Sequence, residues 1–137
     1  MDRDLLIDKA IKARNNSYCP YSEYSVGAAL LCSDGKIVTG SNIENASYGG
    51  TVCAERTAIF KAVSEGLYDF KAIAISGGRK GNKSDDYAFP CGICRQVMRE
   101  FTNPKEFVVI VAKDLDDYKE FYLEELLPNS FGPDNLK

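Results

Sequence analysis

Three thiols and one carboxylate constrain the fold of this chain more than anything else in it: Cys53-Ala54-Glu55, then Pro90-Cys91-Gly92-Ile93-Cys94. Both cysteine motifs begin segments that read as helices. A helix N-terminus carries partial positive charge and free N–H groups that lower a thiol's pKa. Two such ends meeting would favour three thiolates on one zinc ion. The sequence contains no histidine, so imidazole ligands are excluded. Zinc bound for catalysis usually takes three protein ligands and leaves the fourth tetrahedral position to water, whereas structural zinc takes four and closes. Cys53, Cys91 and Cys94 beside Glu55 read as the open kind, with one zinc per chain. Glu55 lies two residues beyond Cys53, a rotation of roughly 200° at about 3.6 residues per turn. Its carboxylate therefore flanks the metal without stacking over the ligand, a place for a group that handles protons on an activated water. The competing reading is a closed site with Cys19 or Cys32 as fourth ligand, or merely buried thiols.

At 137 residues the chain is about one domain long, read as a single domain over 1–137, and its 45% hydrophobic residues suffice for a real core. Its 17 basic and 20 acidic residues are intermixed and give a net charge of -3, with no basic block. That leaves no electrostatic footprint for nucleic acid and suits a small neutral substrate. Met1-Asp2-Arg3-Asp4 places acids where a signal peptide needs a positive region, and no stretch approaches membrane-spanning length. The expectation is a cytoplasmic protein with no membrane partner. Five cysteines is an odd number, and three have ligand spacing, which fits a reducing compartment better than a disulfide framework. Cys19 and Cys32 read as small buried structural thiols.

Leu6, Ile7, Ala10, Ile11 and Ala13 recur at helical spacing, which predicts an amphipathic helix from Asp4 to Asn15, broken at Tyr18-Cys19-Pro20-Tyr21. Strands over Tyr24–Cys32 and Ile37–Gly40 flank the turn chemistry of Ser33-Asp34-Gly35-Lys36 and form a hairpin. Thr51 can cap a helix running to about Ser64 and ending at Gly66, and Lys71–Ser76 reads as a strand. Gly77–Ala88 is polar and reads as an exposed loop. A helix over Cys91–Phe101, strands over Phe107–Ala112 and Tyr118–Tyr122, and a last helical turn over Leu123–Leu127 complete the order α-β-β-α-β-α-β-β-α. Parallel neighbours need a crossover of about a dozen residues, so the last two strands must be antiparallel. The strand-helix-strand unit before them should be parallel. The fold class is α/β: a three-layer α/β/α arrangement with a mixed five-stranded sheet.

A ligand, any residue, Glu, then Pro-Cys-x-x-Cys is the pattern of the zinc deaminases, with three cysteines as one allowed ligand set. The chain resembles the small, homotetrameric type of the cytidine/deoxycytidylate deaminase superfamily beyond that motif, through Asn42-Ile43-Glu44-Asn45-Ala46, Cys53-Ala54-Glu55-Arg56-Thr57-Ala58 and Pro90-Cys91-Gly92-Ile93-Cys94-Arg95-Gln96. The tail Leu126-Leu127-Pro128-Asn129-Ser130-Phe131-Gly132-Pro133 matches as well, so the resemblance covers nearly the whole chain.

That resemblance implies hydrolytic deamination of cytidine and 2′-deoxycytidine at C4, with Glu55 moving protons to N3 and to the departing amine. It implies that Asn42 and Glu44 bind the ribose hydroxyls, and a carboxylate there would repel a nearby phosphate, which favours nucleosides. Tyr24 stands where the family usually carries Phe, and either ring can stack on a pyrimidine. Ala54 would offer its backbone N–H to the base carbonyl. Arg56 would donate to ligand sulfurs and offset the charge of three thiolates. Phe131 sits in a tail broken by Pro128, Gly132 and Pro133, a poor place for a large ring unless something covers it. The family reading has it complete a neighbouring subunit's site in a homotetramer. The alternatives are a deaminase of another cytosine nucleoside, such as a nucleoside antibiotic, and a non-catalytic module in which zinc only holds the fold.

Overall fold

β-Branched and small apolar residues fill the central strands of the computed structural model, which describes residues 1–137. The first helix, α1, spans Arg3–Ala13, with the Asp2 side chain accepting from the Leu5 N–H as its N-cap. It is followed by β1 (Tyr24–Cys32), β2 (Ile37–Ser41), α2 (Ala54–Ser64), β3 (Phe70–Arg79), α3 (Gly92–Phe101), β4 (Val108–Ala112), β5 (Tyr118–Tyr122) and the single turn α4 (Leu123–Leu126). One sheet runs in the order β2-β1-β3-β4-β5. The β3–β4 pair is parallel and every other pair is antiparallel, β4–β5 included.

Alternation along the central strands explains the three layers. Ile73 and Ile75 of β3, with Val109 and Val111 of β4, pack with Ala58 and Ile59 of α2 and Met98 of α3. Ala72 and Ala74, with Ile110 and Ala112, meet Leu6, Ile7 and Ala10 of α1 on the other face. Because β3 is covered on both faces, its sequence is almost continuously apolar.

Two glycines set how closely the helices approach. A Cβ at Gly27 would lie 2.0 Å from the Ala10 carbonyl oxygen, so α1 rests directly on β1. A Cβ at Gly40 would lie 2.4 Å from the Ala58 nitrogen and 2.7 Å from the Ala54 carbonyl oxygen. The first turns of α2 therefore press on the backbone of β2, which fixes where Cys53 and Glu55 emerge.

Three boundaries differ from the sequence reading by more than one residue. The first helix ends at Ala13, and Arg14–Asn16 tighten into a 3-10 turn instead of extending it to Asn15. Thr51 does not cap α2. Val52 exchanges two backbone hydrogen bonds of 2.9 Å with Ile43, which keeps the chain extended up to Cys53, the actual N-cap. Gly77, Gly78 and Arg79 are not loop but the end of β3, because Val26, Ser25 and Tyr24 continue the ladder opposite them.

Candidate metal centre and its cavity

Cys53 and Cys91 are the N-caps of α2 and α3, and Cys94 lies in the first turn of α3, where its N–H points at the Cys91 sulfur (3.5 Å). The two helix starts thus face each other. The three sulfurs lie within 4.8 Å of one another, and Cys53 Sγ and Cys91 Sγ are 3.6 Å apart. Tetrahedral ligation with Zn–S bonds of about 2.3 Å requires sulfurs about 3.8 Å apart, so the thiol spacing fits zinc. All five cysteines are free, and neither Cys19 nor Cys32 joins the cluster. Both are buried elsewhere, Cys32 in the main core.

The electrostatics favour a thiolate at Cys53. Its pKa is brought down to about 5 by the hydrogen bond from Cys94, against the opposing effect of burial, with Arg56 and Cys91 also stabilising the anion. Cys94, sharing that hydrogen bond and buried, is pushed up. Arg56 Nη2 donates to Cys53 Sγ at 3.6 Å, while its Nε is buried without a partner. Burial alone would lower the Arg56 pKa, but hydrogen bonds and attraction to Cys53 and Cys94 outweigh it and raise it. Glu55, in the first turn of α2, is 3% exposed. Burial pushes its carboxyl up to about 7, and the Cys53 thiolate adds to the rise. A group that titrates near neutrality can both take up and release a proton there.

A cavity of about 300 Å³ opens over these groups. Tyr24, Asn42, Ala54 and Glu55 line it together with Cys53 and Cys91. The Asn42 amide is held from both ends. Its Oδ1 accepts from the Val26 N–H (2.9 Å) and the Ser17 hydroxyl, and its Nδ2 donates to the Tyr24 carbonyl (2.9 Å), which leaves one N–H for a ligand.

Glu44 and Phe131 do not line this cavity. Glu44 is in an adjoining depression that shares Thr51 with it. Its carboxylate accepts from the Ser22 hydroxyl (2.5 Å), the Ser22 N–H (3.1 Å) and the Tyr21 N–H (3.0 Å), which hold it below the usual carboxylate range. Phe131 is 59% exposed, and its carbonyl accepts from the Gln96 side chain on α3 (2.8 Å).

Four lining residues escape a reading of the sequence: Val26, Thr51, Ala88 and Phe89. Only Phe89 leaves a signal, an aromatic directly before the Pro-Cys motif. Its ring packs on Phe121 of β5 with centroids 5.6 Å apart. Arg95 is a further support. Its guanidinium donates to the Pro90 carbonyl and the Leu126 carbonyl, both at 2.8 Å, and so ties the cysteine loop to α4.

Residues 1–111 match the family model described as the cytidine and deoxycytidylate deaminase zinc-binding region. The chain is 48% identical over 136 residues to a cytidine deaminase of Halalkalibacterium halodurans, covering 99% of this chain and 98% of that protein. It is 46% identical over 136 residues to one of Sporosarcina psychrophila, covering 99% and 96%. Among solved structures it resembles the cytidine deaminase of Burkholderia pseudomallei at 42% identity and a TM-score of 0.85, covering 96% of this chain and 100% of that one. The Mycobacterium tuberculosis enzyme aligns at 36% identity and a TM-score of 0.80, covering 96% and 98%.

Proposed function

The chain belongs to the cytidine and deoxycytidylate deaminase family, and on that premise we propose that it is a zinc-dependent hydrolase converting cytidine and 2′-deoxycytidine to uridine and 2′-deoxyuridine with release of ammonia. One observation carries the reading: of three thiols at zinc-binding spacing, two line a cavity together with a buried carboxyl that titrates near 7.

Cys53, Cys91 and Cys94 would hold the metal. When bound, zinc brings the pKa of water from 15.7 toward about 7 and so supplies a nucleophile at neutral pH. Glu55 would take one proton from the attacking water and deliver it to N3 of the cytosine ring as the hydroxide oxygen adds to C4, then take the proton of the new C4 hydroxyl and deliver it to the departing amine as the C4–N bond breaks. Its buried setting supports this, since burial keeps its pKa close to the working pH. Arg56 stabilises the thiolate of Cys53 through its hydrogen bond and acts on the reaction only through the ligands.

The rest of the cavity orients the nucleoside. The Ala54 N–H, in the first turn of α2, is directed to the base carbonyl. The Tyr24 ring stacks on the pyrimidine, and the free Asn42 N–H donates to a ribose hydroxyl. Glu44 accepts from a second hydroxyl, and the three donors already fixing its carboxylate keep it charged, which disfavours a phosphate on the sugar. Phe131, too exposed for a ring held by its own chain, closes a neighbour's cavity in a homotetramer with shared sites. We place the protein in the cytoplasm; no helix is long and apolar enough to cross a membrane.

Against a purely structural zinc stands the thiol count, because closure needs a fourth ligand and the cluster contains three cysteines. The test is ammonia release from cytidine by zinc-loaded protein. Turnover supports the reading, and none with zinc confirmed in place overturns it.

A further inference from the structure

A second cavity, of about 680 Å³, is lined by none of the residues that line the one over the thiols. It lies at the end of α1, where the residues after that helix, the chain after β3 and the end of β4 converge. Lys12, Arg14, Lys80, Lys83 and Lys113 line it against a single acid, Asp114, although the whole chain carries a net charge of -3.

Arg14 is the built element of this cavity. Its Nε donates to the Ser25 carbonyl (3.1 Å) and the Ser25 hydroxyl (3.2 Å). Its Nη2 donates to the carbonyls of Arg79 (3.2 Å) and Asn82 (3.0 Å). The guanidinium is therefore fixed in place, with Nη1 uncommitted. All four acceptors are neutral, and no ion pair involves Arg14, Lys80 or Lys83. The two other cations are engaged at the rim, Lys12 with Asp8 (2.9 Å) and Lys113 with Asp117 (4.0 Å). A part-buried cation without a counter-ion is costly, and an anion that reached it would relieve the cost. Burial already acts on Arg14 in this direction, lowering its pKa. A guanidinium held rigid by its own chain is also prepared for the planar, forked recognition of phosphate oxygens, with little further ordering on binding.

We propose that this cavity binds a small phosphorylated anion, with Arg14 at its floor and Lys80 and Lys83 closing over the phosphate. The concave shape favours a small anion over a polymer lying on a flat surface, and the volume is within the range of small-molecule sites. The ligand chemistry is shared by free phosphate and by the phosphate chain of a nucleotide. This site is separate from the deamination site and does not depend on the function proposed for it.

Calorimetric titration of the zinc-loaded full chain with ATP, at low ionic strength, tests the proposal, with adenosine as the uncharged control. ATP is to bind saturably at one equivalent per chain, and adenosine is not to bind. The double variant Lys80→Ala/Lys83→Ala, whose exposed side chains leave the fold untouched, is to weaken ATP binding by roughly tenfold or more. Arg14→Lys, which retains the charge and loses the fork, is to weaken it as well. Inorganic phosphate binding as tightly as ATP assigns the cavity to phosphate itself, and tighter ATP assigns it to a nucleotide's phosphate chain; either supports the site. Absence of saturable binding, or equal affinity in the folded lysine variant, overturns it.

Discussion

Replacing Glu55 with Gln keeps the size and shape of the side chain and removes its proton chemistry, so activity and stability should move in opposite directions. The carboxyl is 3% exposed and its pKa is raised from the ordinary 4.5 to about 7. The unfolded chain therefore releases this proton at a lower pH than the folded chain does. Stability is then greatest below pH 4.5 and falls as pH rises through about 7. At 1.36 kcal/mol per pH unit, the interval from 4.5 to about 7 corresponds to about 3 kcal/mol. Glu55→Gln lacks this titration, so the zinc-free variant should gain about 3 kcal/mol over the zinc-free wild type between pH 4.5 and 7.5. Cys53 also titrates low in the folded chain, but it is present in both proteins and largely cancels in the difference. Turnover of cytidine should fall by about 10²–10⁴, the usual contribution of a positioned acid and base. The assays are urea unfolding of both proteins across that pH range and initial rates of the zinc-loaded forms. A difference in unfolding free energy that stays flat with pH, or turnover within tenfold of wild type, would refute the reasoning.

Arg56→Ala removes the donor to Cys53 Sγ and should retain about one zinc per chain while lowering turnover by roughly tenfold or more; metal analysis beside initial rates checks it, and unchanged turnover contradicts it. Gly40→Val drives a side chain into the backbone of α2 at Ala54 and Ala58, neither of which can rotate away, and should cost about 3 kcal/mol of unfolding free energy in denaturant titration. Phe131→Ala, at a ring 59% exposed, should change the stability of an isolated chain by less than about 1 kcal/mol yet raise the KM for cytidine, if the ring closes a neighbour's cavity. Sedimentation of the wild type decides the assembly directly, and a fully active monomer would end the shared-site reading.

The parts of this structure legible in the sequence are those set by local chemistry. The runs Tyr24–Cys32 and Tyr118–Tyr122 mark β1 and β5 with the bounds observed. The six residues from Cys53 to Ala58 and the Pro-Cys-x-x-Cys run both announce helix starts that carry thiols. What escapes is decided by partners distant in sequence. Thr51 looks like a cap until the Ile43–Val52 bridge is known to hold its neighbour extended. Gly77 and Gly78 look like loop until β1 is placed opposite them. Glu44 has the composition of a free surface acid, but its donors come from Tyr21 and Ser22, on the far side of β1. The Arg14 clamp joins β1 to the chain after β3, and no spacing rule anticipates it.

Charge balance around a bound zinc would account for the arginine beside the thiols. Three thiolates on a divalent ion would leave one net negative charge in a setting where an uncompensated charge is expensive. Arg56, in contact with Cys53, would cancel it, assisted by the partial positive charge of the two helix N-termini capped by Cys53 and Cys91. Burial is the main reason the Glu55 carboxyl resists ionisation until about pH 7; the Cys53 thiolate adds to the rise and Arg56 opposes it. Imidazole ligands would leave the ion itself more positive and would make Arg56 superfluous. In a chain without histidine the arginine is therefore part of the ligand set's chemistry. Loss of Arg56 should then be felt at Glu55, as a further rise in its pKa and a shift of the acid limb of the rate profile to higher pH.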